Sequence, residues 1–504
     1  MNYALLVILL ALGSAAQGAV VGYDSGRANN SETRLAPSTL WAVGKLGTYA
    51  LDGPIAAQPL FISGSPNVLI VATMNNTLYA LNADSPGASP IWSTNFGANW
   101  NVGAGAFFNV FYGASIGILS TPVSDGTYVY CVTVNNTPTY TLRKVALSNG
   151  VQSASVAISG SVTGTGAGTV GGITDDTTGS SLNFHASWQL QRGALALANG
   201  NVYFTFGAAG DEAEVWHGWI FAYSTSALSQ VAVWCSTPNN NGAGVWEAGG
   251  LAVDGSGSLY AVTGNGDWDG STAFAQTVLK FNSSLVLQDW FTPSNHASTQ
   301  TIPPDADLSS GRVMLIPGTN YLTLGSKDGR VWVIDTTSMG HLQGTGTAPQ
   351  VLSTASFSAS YATGTYGGLF FGGAGYFPLI GLQTYSFAFS GSAYGTSPTI
   401  SATSYYQMAL AGSSNSGSGS ILWATTPDTG VPNTAEQTAT LRALNPSTMA
   451  ELWNSGTVGH YSKYISPVVA NAHIYVPTWD GNVVVFGLPP LPVSVTGILV
   501  DATQ

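Results

Sequence analysis

The chain has 504 residues, of which only 7% are charged, and a formal net charge of −12. A surface so poor in Lys and Arg cannot neutralise a phosphate backbone, which excludes nucleic acid as a partner. The length exceeds what one ordinary core of up to about 250–300 residues can organise, so the chain is either several domains or one ring or barrel of repeated units.

Residues 1–18, "MNYALLVILLALGSAAQG", read as a signal peptide. An apolar stretch from Ala4 to Leu12 is followed by small residues that offer cleavage contexts, although no Lys or Arg precedes it. The stretch is too short to span a bilayer, and no later segment reaches the ~18 uninterrupted apolar residues of a spanning helix. The expectation is a secreted or periplasmic protein. Sequons at Asn29, Asn75, Asn135 and Asn282 would accept N-glycans in a host that glycosylates. Cys131 and Cys235 could form one disulfide in an oxidising compartment or stay as two buried thiols, and their spacing does not decide.

From Val68 onward one pattern recurs. "VLIVATMNNTLYALNADSPGASPIW" holds two alternating apolar runs around an Asn-Asn turn and ends in Trp92. Relatives of it begin at Thr121 ("TPVSDGTYVYCVTVNN"), Ala194 ("ALALANGNVYFTFGAAGD"), Gly250 ("GLAVDGSGSLYAVTGNGDWDG") and Val313 ("VMLIPGTNYLTLGSKDGRVWVID"). Others start near Gly367, near Met408 and at Ser466 ("SPVVANAHIYVPTWDGNVVVFGL"). Each reads as strand, turn, strand, turn, strand and a Trp-bearing outer strand. Units of this length built from short strands imply an all-β propeller of four-stranded antiparallel blades, eight by the count of starts, with seven as the alternative. One blade cannot bury both faces, so neighbours must stack, with a Trp filling the wedge between them. The last copy lacks an outer strand. "STLWAVGKLGTYALDG" (Ser38–Gly53) is expected to supply it and close the ring. The expected division is 1–18 leader, 19–488 propeller and 489–504 tail. The Gly/Ser/Thr-rich stretches Ser159–Gly172 and Ala411–Ser420 are expected to be loops on a propeller face.

The repeat ending in "LYALNADSPGASPIW" resembles the pyrroloquinoline-quinone (PQQ) type propeller repeat, found in quinoprotein alcohol dehydrogenases and in non-catalytic relatives. The stretch from "QLQRGALALANGNVYFTFGAAGDEAEVWHGWIFAY" through "TGNGDWDG" to "GSKDGRVWVID" is similar to a secreted, quinoprotein-like group. The dehydrogenases hold PQQ on the axis beside calcium, and carboxylate and amide oxygens suit that hard cation. The resemblance implies that Asn265 and Glu214 are calcium ligands, Glu214 within one residue of the family position, and that Lys327 contacts the quinone. The family's catalytic Asp falls near Ser271; Asp267 and Asp269 are the nearest carboxylates, and both are offset. The family's stacking Trp is likewise approached only by Trp246. The vicinal cysteine pair of many such dehydrogenases and any CxxCH haem motif are absent from the sequence.

Two clusters stand out from the residues themselves. In "GDEAEVWHGW", Asp211, Glu214 and His217 could bind a ligand or metal at a channel mouth, or His217 and Asp211 could be a buried hydrogen-bonded pair holding a loop. In "TGNGDWDG", the alternating Asn265, Asp267 and Asp269 suggest a calcium loop, but Gln276 stands where an EF-hand has Glu, and an Asx turn serves equally. Lys327 and Asp328 lie in a Lys-Asp-Gly hairpin turn. His185, His296, His341, His460 and His473 show no metal-ligand spacing.

These observations lead first to non-catalytic binding or scaffolding for an extracellular glycan, polymer or protein. The runner-up is a PQQ- and calcium-dependent alcohol dehydrogenase with a displaced base. A third reading, a polysaccharide hydrolase or lyase, requires paired carboxylates converging on the axis.

Overall fold

The computed structural model describes residues 20–21, 28–102, 113, 115–210, 215–299, 306–344, 350–353, 364–365, 367–405, 408–429 and 437–489. Among them the regular secondary structure is almost entirely strand, as its β-branched and aromatic runs between turn residues require. Eight sheets have four or five strands each. Their inner strands are Leu60–Ile62, Val123–Ser124, Ala196–Ala198, Ala252–Val253, Met314–Leu315, Leu369–Phe371, Ala409–Asn415 and Val468–Ala470. We refer to the sheets as first to eighth in that order. Each runs outward as an antiparallel meander. In the first sheet Val68–Ala72, Thr77–Asn82 and Trp92–Asn95 follow the inner strand, with Ile70 opposite Ala80 and Ala80 opposite Trp92.

Every sheet packs on the next through its own apolar seam. Ile70, Leu78 and Trp92 meet Val129, Cys131 and Val145 between the first and second sheets. Tyr130 and Leu142 meet Phe204 and Phe221, and Tyr203 and Ile220 meet Leu259 and Leu279, at the next two seams. Tyr260 and Val278 then meet Leu322 and Trp332, and Val331 and Val333 meet Phe377 and Phe387. Phe371 and Tyr376 meet Leu410 and Leu422; Trp423 and Leu441 meet Ile474 and Phe486. Tyr475 and Val483 of the eighth sheet pack on Leu69 and Leu81 of the first, so the series closes on itself. At about 1.5–3 kcal/mol for each large apolar side chain buried, these seams hold the ring together.

The N-terminal part of the chain completes the closure. Gly44–Ala50 is the outer strand of the eighth sheet, antiparallel to Asn482–Gly487, with Tyr49 opposite Val483. Tyr49 then crosses to the first sheet, where its hydroxyl donates to Asn82 O at 2.5 Å and lies 3.1 Å from Ser85 O. Further upstream, Ala28–Asn29 pairs in parallel with the inner strand of the seventh sheet, and Asn29 Nδ2 donates to Val469 O.

Three local expectations are corrected. Pro37–Ala42 is 3₁₀-helical, and Trp41 is 87% exposed while Leu40 takes the buried position. The seam Trp is instead typified by Trp92, whose Nε1 donates to Leu147 O at 2.8 Å across the first seam. Ala411–Ser420 is no loop but most of a hairpin, Ala409–Asn415 and Ser418–Pro427, in which Ser413 and Ser414 are buried. Its small polar residues hid a strand because the ladder, not the side chains, holds it. Part of Ser159–Gly172 forms short strands that pair within an insertion spanning Ser161–Asn183. Cys131 and Cys235 are free, buried thiols. Among the described residues no helix is long and apolar enough to cross a membrane.

Candidate functional site

In an outward meander, the loops between second and third strands share one face of the ring with the connections that enter the next inner strand. That face carries the described candidates. His217 lies in the second-to-third loop of the third sheet, Asn265, Asp267 and Asp269 in that of the fourth, and Lys327 in that of the fifth. Trp246 lies in the connection entering the fourth sheet. Asp211 and Glu214 lie outside the described residues.

The structure brings Asn265 and Lys327 together around a residue that sequence reasoning missed, Asp307. It sits in the connection entering the fifth sheet, immediately before a 3₁₀ turn at Leu308–Ser310. Lys327 Nζ is 2.6 Å from Asp307 Oδ2, and the pair is buried. The Asn265 backbone N–H donates to Asp307 Oδ1 at 3.0 Å, and the Lys327 N–H donates to Asp307 O at 3.1 Å. The carboxylate is therefore fixed by a charge-assisted bond on one oxygen and a backbone donor on the other. Asn265 Oδ1 and Ser309 Oγ beside it are buried without a hydrogen-bond partner among the described residues. A buried acceptor left open is costly, and a bound cation or donor group relieves it. The sequence held a signal for Asp307: a Lys facing the inside of a charge-poor chain needs a carboxylate, and "DADLSSG" offers one just ahead of an inner strand.

Trp246 stands next to this group. Its indole occupies a slot that glycines make possible. A Cβ on Gly207, Gly244 or Gly264 would come within 2.7, 2.2 and 2.3 Å of the ring. The one on Gly264 would also come within 2.8 Å of Ser309 Oγ, so the ring edge reaches toward Ser309. Trp216 supports the indole at 5.3 Å between centroids and 36° between planes. Glu247, the next residue, is buried, with Oε1 accepting from Val262 N at 3.3 Å and Oε2 from Val313 N at 3.0 Å. Burial pushes its pKa from 4.5 up to about 8, against the pull of those two N–H groups and Arg312.

Ala56, Leu119, Thr121, Arg192, Ala248 and the run Lys463–Ile465 line a single well. They precede the inner strands of five different sheets, so the well lies on the ring axis. It has room for about one water molecule. Arg192 Nε donates to Trp246 O at 2.8 Å, and its guanidinium lies 5.1 Å from the Tyr464 ring centroid. Nearby, Ala194 packs against Ile465, an apolar contact between the connections entering the third and eighth sheets. Of the twelve Lys and Arg in the sequence, Arg192, Arg312, Lys327 and Lys463 gather at this end of the axis.

The other candidates are placed elsewhere. His217 Nε2 is 3.0 Å from Asp175 Oδ2 and its Nδ1 is 3.0 Å from Thr237 Oγ1, all buried. Its partner is thus Asp175, from the insertion, and the pair ties that insertion to the third sheet. Burial opposes the charge of Asp175, but His217 and the N–H groups of Ala167 and Asp176 outweigh it and hold the pKa below the usual range. Asp267 is exposed and accepts from Asn241 N at 2.9 Å. Asp269 is exposed and accepts the N–H groups of Ser271, Thr272 and Ala273, an Asx-type turn whose bonds outweigh desolvation and depress its pKa. Among the described residues no group of three or more His, Cys, Asp or Glu converges on one point.

No family model matches the chain, and no curated protein matches it by sequence. Solved structures do match its fold. A quinohemoprotein alcohol dehydrogenase from Pseudomonas putida is 14% identical, covers 92% of this chain and 79% of its own, and gives a TM-score of 0.61. The enzyme of the same description from Comamonas testosteroni is 13% identical over 94% and 81%, with a TM-score of 0.59. A europium-containing methanol dehydrogenase is 11% identical over 92% and 96%, with a TM-score of 0.60. The chain thus has a PQQ-type β-propeller fold. At such identities the likeness speaks for fold alone.

Proposed function

We propose that this protein binds a small planar polyanion at the axial end of its propeller, and that PQQ held with calcium is the ligand its residues suit. The observation that carries this reading is the buried Asp307–Lys327 pair beside the open Asn265 Oδ1 and the glycine-slotted Trp246. Trp246 would offer a stacking face, and Arg192 and Lys463 at the well would face the ligand's acidic groups. Asn265 Oδ1, Ser309 Oγ and Asp307 would offer oxygens to a hard cation. Bound there, the quinone would supply a two-electron acceptor. Asp307 would be the residue to accept the proton of an alcohol, in the role for which the sequence offered only Asp267 and Asp269. The leader-like residues 1–18 support export.

Non-catalytic binding is the second reading, and one observation favours it. The well as it stands holds about one water, so a ligand the size of PQQ requires the Arg192–Tyr464 contact to part. A hydrolase or lyase gains nothing from Glu247, whose two oxygens are both committed to backbone N–H groups.

Calorimetry with PQQ and calcium, followed by alcohol oxidation with an artificial electron acceptor, separates the readings. One-to-one binding with turnover that Asp307→Asn abolishes supports the dehydrogenase. Binding without turnover supports the non-catalytic propeller. Absence of binding at millimolar PQQ and calcium overturns the ligand assignment.

A further inference from the structure

The four Asn-x-Ser/Thr triplets lie among the described residues, and the fold uses their amides in two ways. Asn29 stands on the inner edge of the ring, paired with Ser413, and its Nδ2 donates to Val469 O at 3.2 Å. Asn75 Nδ2 donates to Asp52 O, and a Cβ on Gly53 would come within 2.7 Å of that nitrogen. The third residue of that triplet, Thr77, is buried and donates its hydroxyl to the Asp52 carboxylate. Asn135 and Asn282 differ. Asn135, Asn136 and Thr137 are all exposed in the loop between Tyr128–Val134 and Tyr140–Ala146. Asn135 Oδ1 accepts the N–H groups of Thr137 and Thr139 at 3.1 and 2.9 Å and the Thr137 hydroxyl at 3.1 Å. This Asx turn leaves the amide nitrogen without a hydrogen bond among the described residues. Asn282 repeats the turn. Its Oδ1 accepts the N–H groups of Ser284 and Val286, both at 3.0 Å, its nitrogen is likewise unbonded among the described residues, and Ser284 is exposed.

We propose that Asn135 and Asn282 are N-glycan acceptors and that Asn29 and Asn75 are not. This assignment rests on the export reading of residues 1–18 and is independent of the axial ligand. In the transfer the amide nitrogen bonds to the anomeric carbon of a lipid-diphosphate-linked oligosaccharide. The C–O bond to the diphosphate breaks, the lipid diphosphate leaves with its electron pair, and the amide gives up one proton; nothing is oxidised or reduced. At Asn135 and Asn282 the turn uses Oδ1 and the sugar takes Nδ2, so every bond of the turn survives. At Asn29 a glycan would break the bond to the eighth sheet inside the ring. At Asn75 it would displace the bond to Asp52 O and crowd Gly53, so the folded chain carries none at either position. The two accepting turns lie on opposite faces of the ring, Asn135 between second and third strands and Asn282 between third and outer strands. On a chain with only 7% charged residues, glycans there supply hydration that charged side chains do not.

The test is expression of the full chain in a eukaryotic secretory cell line, with near-UV circular dichroism to confirm folding. Peptide mapping follows enzymatic deglycosylation in water labelled with heavy oxygen, which turns each occupied Asn into a labelled Asp. Label is expected at Asn135 and Asn282 and at neither of the other two. Asn135→Gln and Asn282→Gln are each expected to lose one glycan by intact mass, and the double variant is expected to keep its mass through deglycosylation. Folded, secreted protein labelled at Asn29 or Asn75, or at neither Asn135 nor Asn282, overturns the assignment and leaves export standing. One member of the expected pair found bare overturns the assignment for that residue. Unmodified chain found in the cytosol overturns the export reading, and the glycan sites with it.

Discussion

Glu247 gives the stability of this protein a pH dependence that one substitution should remove. The carboxyl is buried, and its pKa rises from 4.5 in a free chain to about 8 in the fold, chiefly by desolvation. Between those values the folded state binds a proton that the unfolded state has released. Stability from this group is therefore complete below about pH 4.5 and is lost as pH climbs toward 8. At about 1.4 kcal/mol per pH unit the ceiling on that loss is about 5 kcal/mol. Relaxation and water entry reduce it, so about 2–4 kcal/mol is expected. Glu247→Gln does not titrate. It retains one acceptor for the Val262 and Val313 N–H groups and loses the other, a deficit of about 1 kcal/mol at pH 5. The variant should thus be less stable than the wild type at pH 5 and more stable at pH 9, read from urea denaturation at pH 5, 7 and 9. Groups common to both proteins cancel in the difference. A difference that stays constant from pH 5 to 9 would refute the assignment of a neutral buried carboxyl.

Three further outcomes follow from the packing. Asp307→Asn removes the carboxylate that pairs with the buried Lys327 ammonium and should destabilise the fold by about 3–5 kcal/mol, whereas the double variant with Lys327→Met should recover most of that in a thermal or urea cycle. Gly244→Ala places a methyl 2.2 Å from the Trp246 ring and should cost about 1–3 kcal/mol, with a shift in tryptophan emission as the indole is pushed from its slot. Cys131, whose thiol burial pushes up to about 12, and Cys235, also raised by burial, should not react with a thiol reagent in the native protein at neutral pH, yet both should react in urea.

Much of the ring was legible because its signals are local. Alternating apolar runs, Asn and Gly turns and terminal Trp residues gave the strand order, and the Trp92 seam bond follows from that pattern. The closing strand could be placed within Ser38–Gly53 because the last copy visibly lacked one, and Gly44–Ala50 fills the gap. The axial group was only half legible. Asn265 and Lys327 stand in recognisable turns, but Asp307 reaches them from a connection more than forty residues beyond Asn265 in an irregular stretch without strand periodicity. The His217 partner was misplaced for the same reason. Asp211 is near in sequence, but the insertion folds back to bring Asp175 instead. Ala411–Ser420 misled in the opposite way, since Ser and Gly usually mark loops and here lie in paired strands.

The most direct test of the axial site is a crystal structure of the protein grown with PQQ and calcium. The account predicts a planar ligand stacked on Trp246, acidic groups on Arg192 and Lys463, a cation within reach of Asn265 Oδ1, and the Tyr464 ring swung off the well. An undisturbed Arg192–Tyr464 contact with the ligand absent from the axis, or bound on another face of the ring, would contradict it.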